Sequence, residues 1–228
     1  MAPKNNQRIK KIRQILNSRY PDVKTQLKHE DAFQLLIATI LSAQCTDRQV
    51  NRVTRQLFQS LKTPEDFANA PVEAIEGFIR STGFYHNKAK SIKNCARTLI
   101  ERHNGRVPDN LEDLVKLPGV GRKTANVVLG AAYNIPGIVV DTHVSRISQR
   151  LGLTANKDAT KIEYDLMKVI PESEWNDFSL RLIYFGREVC MARKPDCPNC
   201  FLEHLCPYPD KTSGNGSAAK PHFPISSS

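Results

Sequence analysis

What this sequence lacks sets the first limits. No apolar run approaches the roughly 20 residues a helix needs to cross a bilayer; the longest strongly apolar stretch is LLIATIL, Leu35–Leu41. The basic start, MAPKNNQRIKK, has no apolar segment behind it and so lacks the form of a secretory signal. The expectation is a cytoplasmic chain that stays out of membranes. Nowhere do apolar and polar residues alternate over the length of a strand, and no period of about 20 to 50 residues repeats, which argues against sheets and solenoids. Cysteine is scarce, six in 228 residues. In a chain without an export signal, six thiols point to metal binding or plain thiols, not to a disulfide framework.

What is present fits a soluble globular protein. Hydrophobic residues make up 40% of a chain long enough for one large or two small cores. Lys and Arg number 33 against 23 Asp and Glu, a formal net charge of +10, which suggests a polyanionic partner. Charge alone does not separate a nucleic acid from an anionic membrane surface.

Apolar spacing predicts helices throughout, hence an all-α fold. Residues 8–19 place Ile9, Ile12, Ile15 and Leu16 on one face. Asp31 can cap a helix whose Phe33, Leu35, Leu36, Ile37, Ile40 and Leu41 are too apolar all round for a surface position, so it should be central. Thr46 with Gln49 reads as a capping box, leaving Ser42–Cys45, with Gln44, in the turn before it. Thr63-Pro64-Glu65 starts another helix, and Gly83 ends the one carrying Val72, Ile75, Phe78 and Ile79. The next carries Ala89, Ile92, Cys95, Ala96, Leu99 and Ile100, and stops at Asn104-Gly105. Cys45 and Cys95 are expected to be small buried hydrophobes. The last residues, TSGNGSAAKPHFPISSS, have the composition of a segment without a fixed fold.

The most informative stretch is LPGVGRKTANVVLGAAYNIPGIVVDTH, Leu117–His143. Leu111, Leu114, Val115 and Leu117 form the face of a short helix, Pro118–Gly121 break it, and Ala125, Val127, Val128, Ala131 and Ala132 mark another. This is a helix, a tight hairpin and a helix. Gly119 and Gly121, on either side of Val120, would let the backbone approach another molecule, and their amides beside a helix start would suit a phosphate. Lys123 can be a solvated charge, a phosphate contact or, where the helix start and Arg122 disfavour the ammonium, a nucleophilic amine. Asp141, behind Ile138-Val139-Val140, is a good N-cap for the following helix, and His143 is an ordinary structural histidine or a contact. Finally, Cys190, Cys197, Cys200 and Cys206 lie in one short loop-rich segment and could hold zinc or a [4Fe-4S] cluster. Only Cys197 and Cys200 form a close pair, which favours the cluster.

LPGVGRKTA with VDTH downstream resembles the helix-hairpin-helix and Gly/Pro-Asp signature of base-excision DNA glycosylases, in the endonuclease III branch. The cysteine array has the spacing of that branch's iron-sulfur loop, and LLIATILSAQCTD, with Gln44, is similar to its DNA-penetrating loop. The resemblance runs from about residue 30 to residue 206 and implies two helical domains with a cleft between them: 25–135 with the hairpin, and 1–24 with 136–211 and a C-terminal cluster loop, leaving 212–228 as a tail. It implies a bifunctional glycosylase and AP lyase acting on oxidised or ring-saturated pyrimidines in double-stranded DNA, monomeric and nucleoid-associated. Lys123 would attack C1′ and Asp141 would assist it across the cleft. Gln44 would fill the space left by the flipped nucleotide. Phe84, beside Gly83 where family members commonly carry aliphatic residues, would be a wedge if it is not packed in the core. Gly119, Val120, Gly121, Arg193 and Lys194 would contact DNA. The competing readings are a monofunctional glycosylase, which lacks a lysine at the position of Lys123, a non-catalytic DNA-binding module and a zinc-stapled scaffold.

Overall fold

The computed structural model describes residues 3–213, with side chains from Asn6 onward, so residues 214–228 of the expected tail lie outside the described residues. Among the described residues every regular element is helical: α1 (Pro3–Arg19), α2 (Ala32–Leu41), α3 (Asp47–Ser60), α4 (Pro64–Asn69), α5 (Val72–Ile79), α6 (Tyr85–His103), α7 (Leu111–Leu114), α8 (Arg122–Tyr133), α9 (Thr142–Arg150), α10 (Ala159–Met167) and α11 (Trp175–Glu188), with short 3₁₀ turns. The fold is all-α, as the spacing of apolar residues predicts. Contacts divide it into two units. One is Val23–Val139 with Pro171–Leu180; the other joins the residues up to Asp22 with Val140–Ile170 and those from Arg181 on.

The first unit is a bundle around α2. Every residue from Phe33 to Leu41 is buried, because a helix apolar on all sides has to be surrounded. Its start is fixed by Asp31, which accepts a hydrogen bond from Gln34 N at 2.8 Å. Val50, Val53 and Leu57 of α3, Ile75 and Ile79 of α5, Ile92, Cys95 and Leu99 of α6, and Ala125, Val128 and Leu129 of α8 complete the core. Phe33 meets Phe67 edge to face, with centroids 5.3 Å apart. Burying one such Leu, Ile or Phe contributes about 1.5–3 kcal/mol.

Pro171–Leu180 belongs with this bundle for a polar reason. Asn176 accepts from Gly137 N at 2.9 Å and donates to Ile135 O at 3.2 Å, and Ser179 Oγ accepts from Val139 N at 3.0 Å. The first turns of α11 thus hold the extended segment that follows α8. Gly130 leaves the space this requires, since a Cβ there would lie 2.7 Å from Asn176 Oδ1.

The second unit is built from Ile9, Ile12 and Leu16 of α1, Val144 and Ile147 of α9, Ile162 and Leu166 of α10, and Leu182 and Phe185 of α11, all buried. Arg8 ties the N-terminal helix to distant backbone, donating to Leu151 O at 2.7 Å and Leu205 O at 3.1 Å.

Candidate functional site

The hairpin is closed by Val120 N donating to Leu117 O at 3.1 Å, and α8 begins directly after it. Gly119 has φ +80, and a Cβ built there would lie 2.8 Å from Ser91 Cβ of α6. Its missing side chain therefore lets the hairpin seat on its own bundle. At Gly121, where nothing lies within 4 Å of an added Cβ, the backbone is open to a partner. Gly121, lacking a side chain, provides no side-chain cap for α8. The Val120 side chain is buried in the bundle core and its amide donates inside the hairpin, so it anchors the turn from within. Arg122 and Lys123 follow at the positive end of α8, with Lys123 exposed.

Two turns of the same unit carry the other expected contacts. Gln44, between α2 and α3, is exposed with φ +53; Phe84, capping α6, has φ +48 and is 68% exposed, so it is not a core residue. Five described non-glycine residues have positive φ: Asn104 and Asn134 end helices, while Gln44, Phe84 and Lys194 are residues the sequence singles out for DNA contact. A left-handed backbone at a bulky exposed residue costs on the order of 1–3 kcal/mol and persists where its surroundings dictate it.

Behind these two turns lies a residue that the sequence reading missed. Lys88 is only 6% exposed, and its Nζ donates to Leu41 O at 2.9 Å and Thr82 O at 2.8 Å. Burial lowers its pKa, opposed by the nearby Cys45 thiol. The available signal was its place on the apolar stripe of α6, four residues before Ile92. Gln49 also bridges the turns: Thr46 Oγ1 accepts from its backbone at 3.3 Å, but its side chain donates to Ser81 Oγ and does not return to complete the box. Cys45 is half-buried, unlike the fully buried Cys95, whose thiol burial pushes up to about 12.

In the second unit, Asp141 caps α9. Its Oδ1 accepts from both His143 N and Val144 N at 2.8 Å, which leaves Oδ2 for another role. His143 is a packed side chain: a Cβ on Gly186 would lie 2.8 Å from its Nδ1. Burial lowers its pKa, Asp141 opposes that, and Arg146 and Arg187 reinforce it. Arg146 donates to Cys190 O at 2.9 Å and to Gly186 O at 3.2 Å, and lies 3.1 Å from His143 Nδ1. One turn on, Arg150 donates to Cys190 Sγ at 3.3 Å and Met191 O at 2.8 Å. The helix that Asp141 starts thus fastens the cysteine segment.

Cys190, Cys197, Cys200 and Cys206 line one cavity, together with Phe185 and Val189, and none forms a disulfide. Among the described residues, no three His, Cys, Asp or Glu side chains are placed to hold a single metal ion. Burial pushes Cys200 up to about 11 and raises Cys206, while backbone hydrogen bonds from Leu202 and Tyr208 work in the opposite direction. Arg193 and Lys194 are exposed on the loop between the first two cysteines, Lys194 with φ +50.

This arrangement has well-characterised counterparts. The profile of the HhH-GPD superfamily base excision DNA repair proteins matches residues 37–172. Endonuclease III of Synechocystis sp. is 52% identical over 208 residues, 91% of this chain and 94% of that protein. Two solved structures, a non-covalent Endonuclease III–DNA complex and a trapped Endonuclease III–DNA covalent intermediate, each superpose with a TM-score of 0.86 at 47% identity, covering 89% of this chain and 95% of theirs. Among the described residues no helix is long and apolar enough to cross a membrane. With identity this high over nearly its whole length, the chain belongs to the endonuclease III family of HhH-GPD base excision DNA repair proteins.

Proposed function

We propose that this protein is a bifunctional DNA glycosylase and AP lyase that removes oxidised or ring-saturated pyrimidines from duplex DNA. The observation that carries this is Lys123, exposed at the start of α8 directly behind a hairpin open at Gly121, in a chain 47% identical to an endonuclease III trapped covalently on DNA. Lys123 Nζ attacks C1′; the C1′–N bond to the base breaks and the base leaves with a proton. The sugar opens to a Schiff base, loss of the C2′ proton expels the 3′ phosphate, and hydrolysis of the imine releases Lys123. Asp141, with Oδ2 unused by the cap, stabilises positive charge developing on the sugar.

Gln44 fills the gap left by the flipped nucleotide and Phe84 wedges beside it, both presented on exposed left-handed turns. The Gly119–Gly121 hairpin, Arg193 and Lys194 bind phosphates and position the duplex. Cys190, Cys197, Cys200 and Cys206 are assigned to a [4Fe-4S] cluster: four free thiols line one cavity, and their spacing, with only Cys197 and Cys200 as a close pair, suits a cluster better than the paired ligands of zinc folds. Its role here is structural, supplying the positive charge that lets buried thiols ionise and fixing the loop that displays Arg193 and Lys194. We assign a monomer acting on the nucleoid in the cytoplasm.

Borohydride trapping tests the chemistry. A labelled duplex with one oxidised pyrimidine should yield a covalent protein–DNA band that disappears in Lys123→Ala. Base release without trapping would make the enzyme monofunctional, with Lys123 a phosphate contact. DNA binding with neither release nor trapping would sink the catalytic assignment for this lesion class.

A further inference from the structure

We infer that Lys88 is a positioning residue that locks the Gln44 turn and the Gly83–Phe84 turn into one register, so that both side chains enter the duplex together. This rests on the reading of Gln44 and Phe84 as the inserting residues. Lys88 Nζ binds the carbonyl of Leu41, three residues before Gln44, and that of Thr82, two residues before Phe84. It is buried and has no carboxylate partner, an arrangement in which a lone ammonium is costly and an apolar residue would serve the core better. What the lysine offers that an apolar side chain cannot is a directional bond to two separate turns. Gln49 supplies a second strap through Ser81 Oγ, again from the α3 side to the residues preceding Gly83.

The two turns gain from a shared clamp because each holds a strained backbone, with φ of +53 at Gln44 and +48 at Phe84. Opening the base stack is costly, and two wedges share that work only when their separation is set before contact. A side chain deep in the bundle thereby governs how the surface meets DNA, without touching DNA itself.

The experiment compares two duplexes, one with dihydrouracil paired to guanine and one with dihydrouracil opposite an abasic analogue, where there is no pair to open. Lys88→Met should lower kcat/KM on the paired duplex by about tenfold, the order expected on losing a hydrogen bond from a charged donor. On the unpaired duplex the loss should stay within about twofold, and Lys88→Arg, which keeps charge and donors, should recover much of the paired activity. Gln44→Ala and Phe84→Ala should show the same preference for the unpaired duplex. If those two lose nothing on the paired duplex, the reading of the turns fails and the inference falls with it. If they lose activity while Lys88→Met does not, the inference alone is overturned. An equal loss for Lys88→Met on both duplexes would mark general support of the fold and also overturn it. Should Lys88→Met not fold, amide exchange of the unsubstituted protein decides: joint protection of residues 42–46 and 82–86 on paired lesion DNA supports the clamp, and protection of one alone overturns it.

Discussion

The helical bundle and the cysteine-bearing segment are held by different forces. The bundle encloses a continuous apolar core running from Leu27 to Leu129, with α2 buried on every side. Among its described residues, 190–213, the cysteine-bearing segment buries few apolar side chains, chiefly Pro195 and Leu202; arginine donors and hydroxyl contacts hold its backbone, as in Arg150 to Met191 O and Thr212 Oγ1 to Pro195 O. A region without a core of its own needs a staple, and the proposed cluster on the four cysteines would provide one. The bundle stands on hydrophobic burial, which ignores redox state and chelators; a cysteine segment stapled by a cluster would not.

The sharpest way to break that contrast is at the proposed cluster. Cys197→Ala, or chelation under mild denaturant, should abolish absorbance near 400 nm and make residues from Cys190 on protease-sensitive, because structural metal sites are worth on the order of 10 kcal/mol to the segment that binds them. The bundle should stay helical by circular dichroism; if it unfolds as well, the contrast is wrong. The reverse perturbation is Leu36→Ala, expected to cost the bundle about 2–5 kcal/mol in urea melts through cavity formation while leaving the absorbance intact. Arg8→Ala should cost about 1–3 kcal/mol, read as earlier proteolysis near Leu205, since it strands two backbone carbonyls. The smallest effect concerns His143. Burial holds its folded pKa below the ordinary 6.5, so on acidification the unfolded chain takes up the proton first. Stability is complete above about pH 6.5 and declines as pH falls from there through the folded value. The urea midpoint should drop between pH 7.5 and 5.5, and His143→Asn should shrink that drop.

Local features were the ones legible in the sequence. Asp31, Thr63 and Asp141 all cap helices because a capping residue acts on backbone two or three positions away. Features that depend on a distant partner were not readable. Gln49 gives its amide to Ser81, 32 residues on, so only half of the expected box forms. Val120 reads the same from sequence whether it faces DNA or the core. Lys88 resembled any helical lysine until two carbonyls from separate turns converged on it. Helix α1 begins at Pro3, five residues before the apolar spacing announces it, since a polar first turn leaves no periodic signal.

Helix α6 works as a ruler. Phe84 caps its first turn, and Ser91, seven residues on, is the surface on which Gly119 of the hairpin rests. At 1.5 Å per residue the two points are about 10 Å apart along the axis, close to three base steps of 3.4 Å. One residue added between Tyr85 and Ser91 would swing Phe84 by about 100° around the helix, so that the proposed wedge and the hairpin would no longer share one face. Length in that first stretch of α6 is therefore a fixed quantity, and the helix beyond Ser91 is free of that constraint.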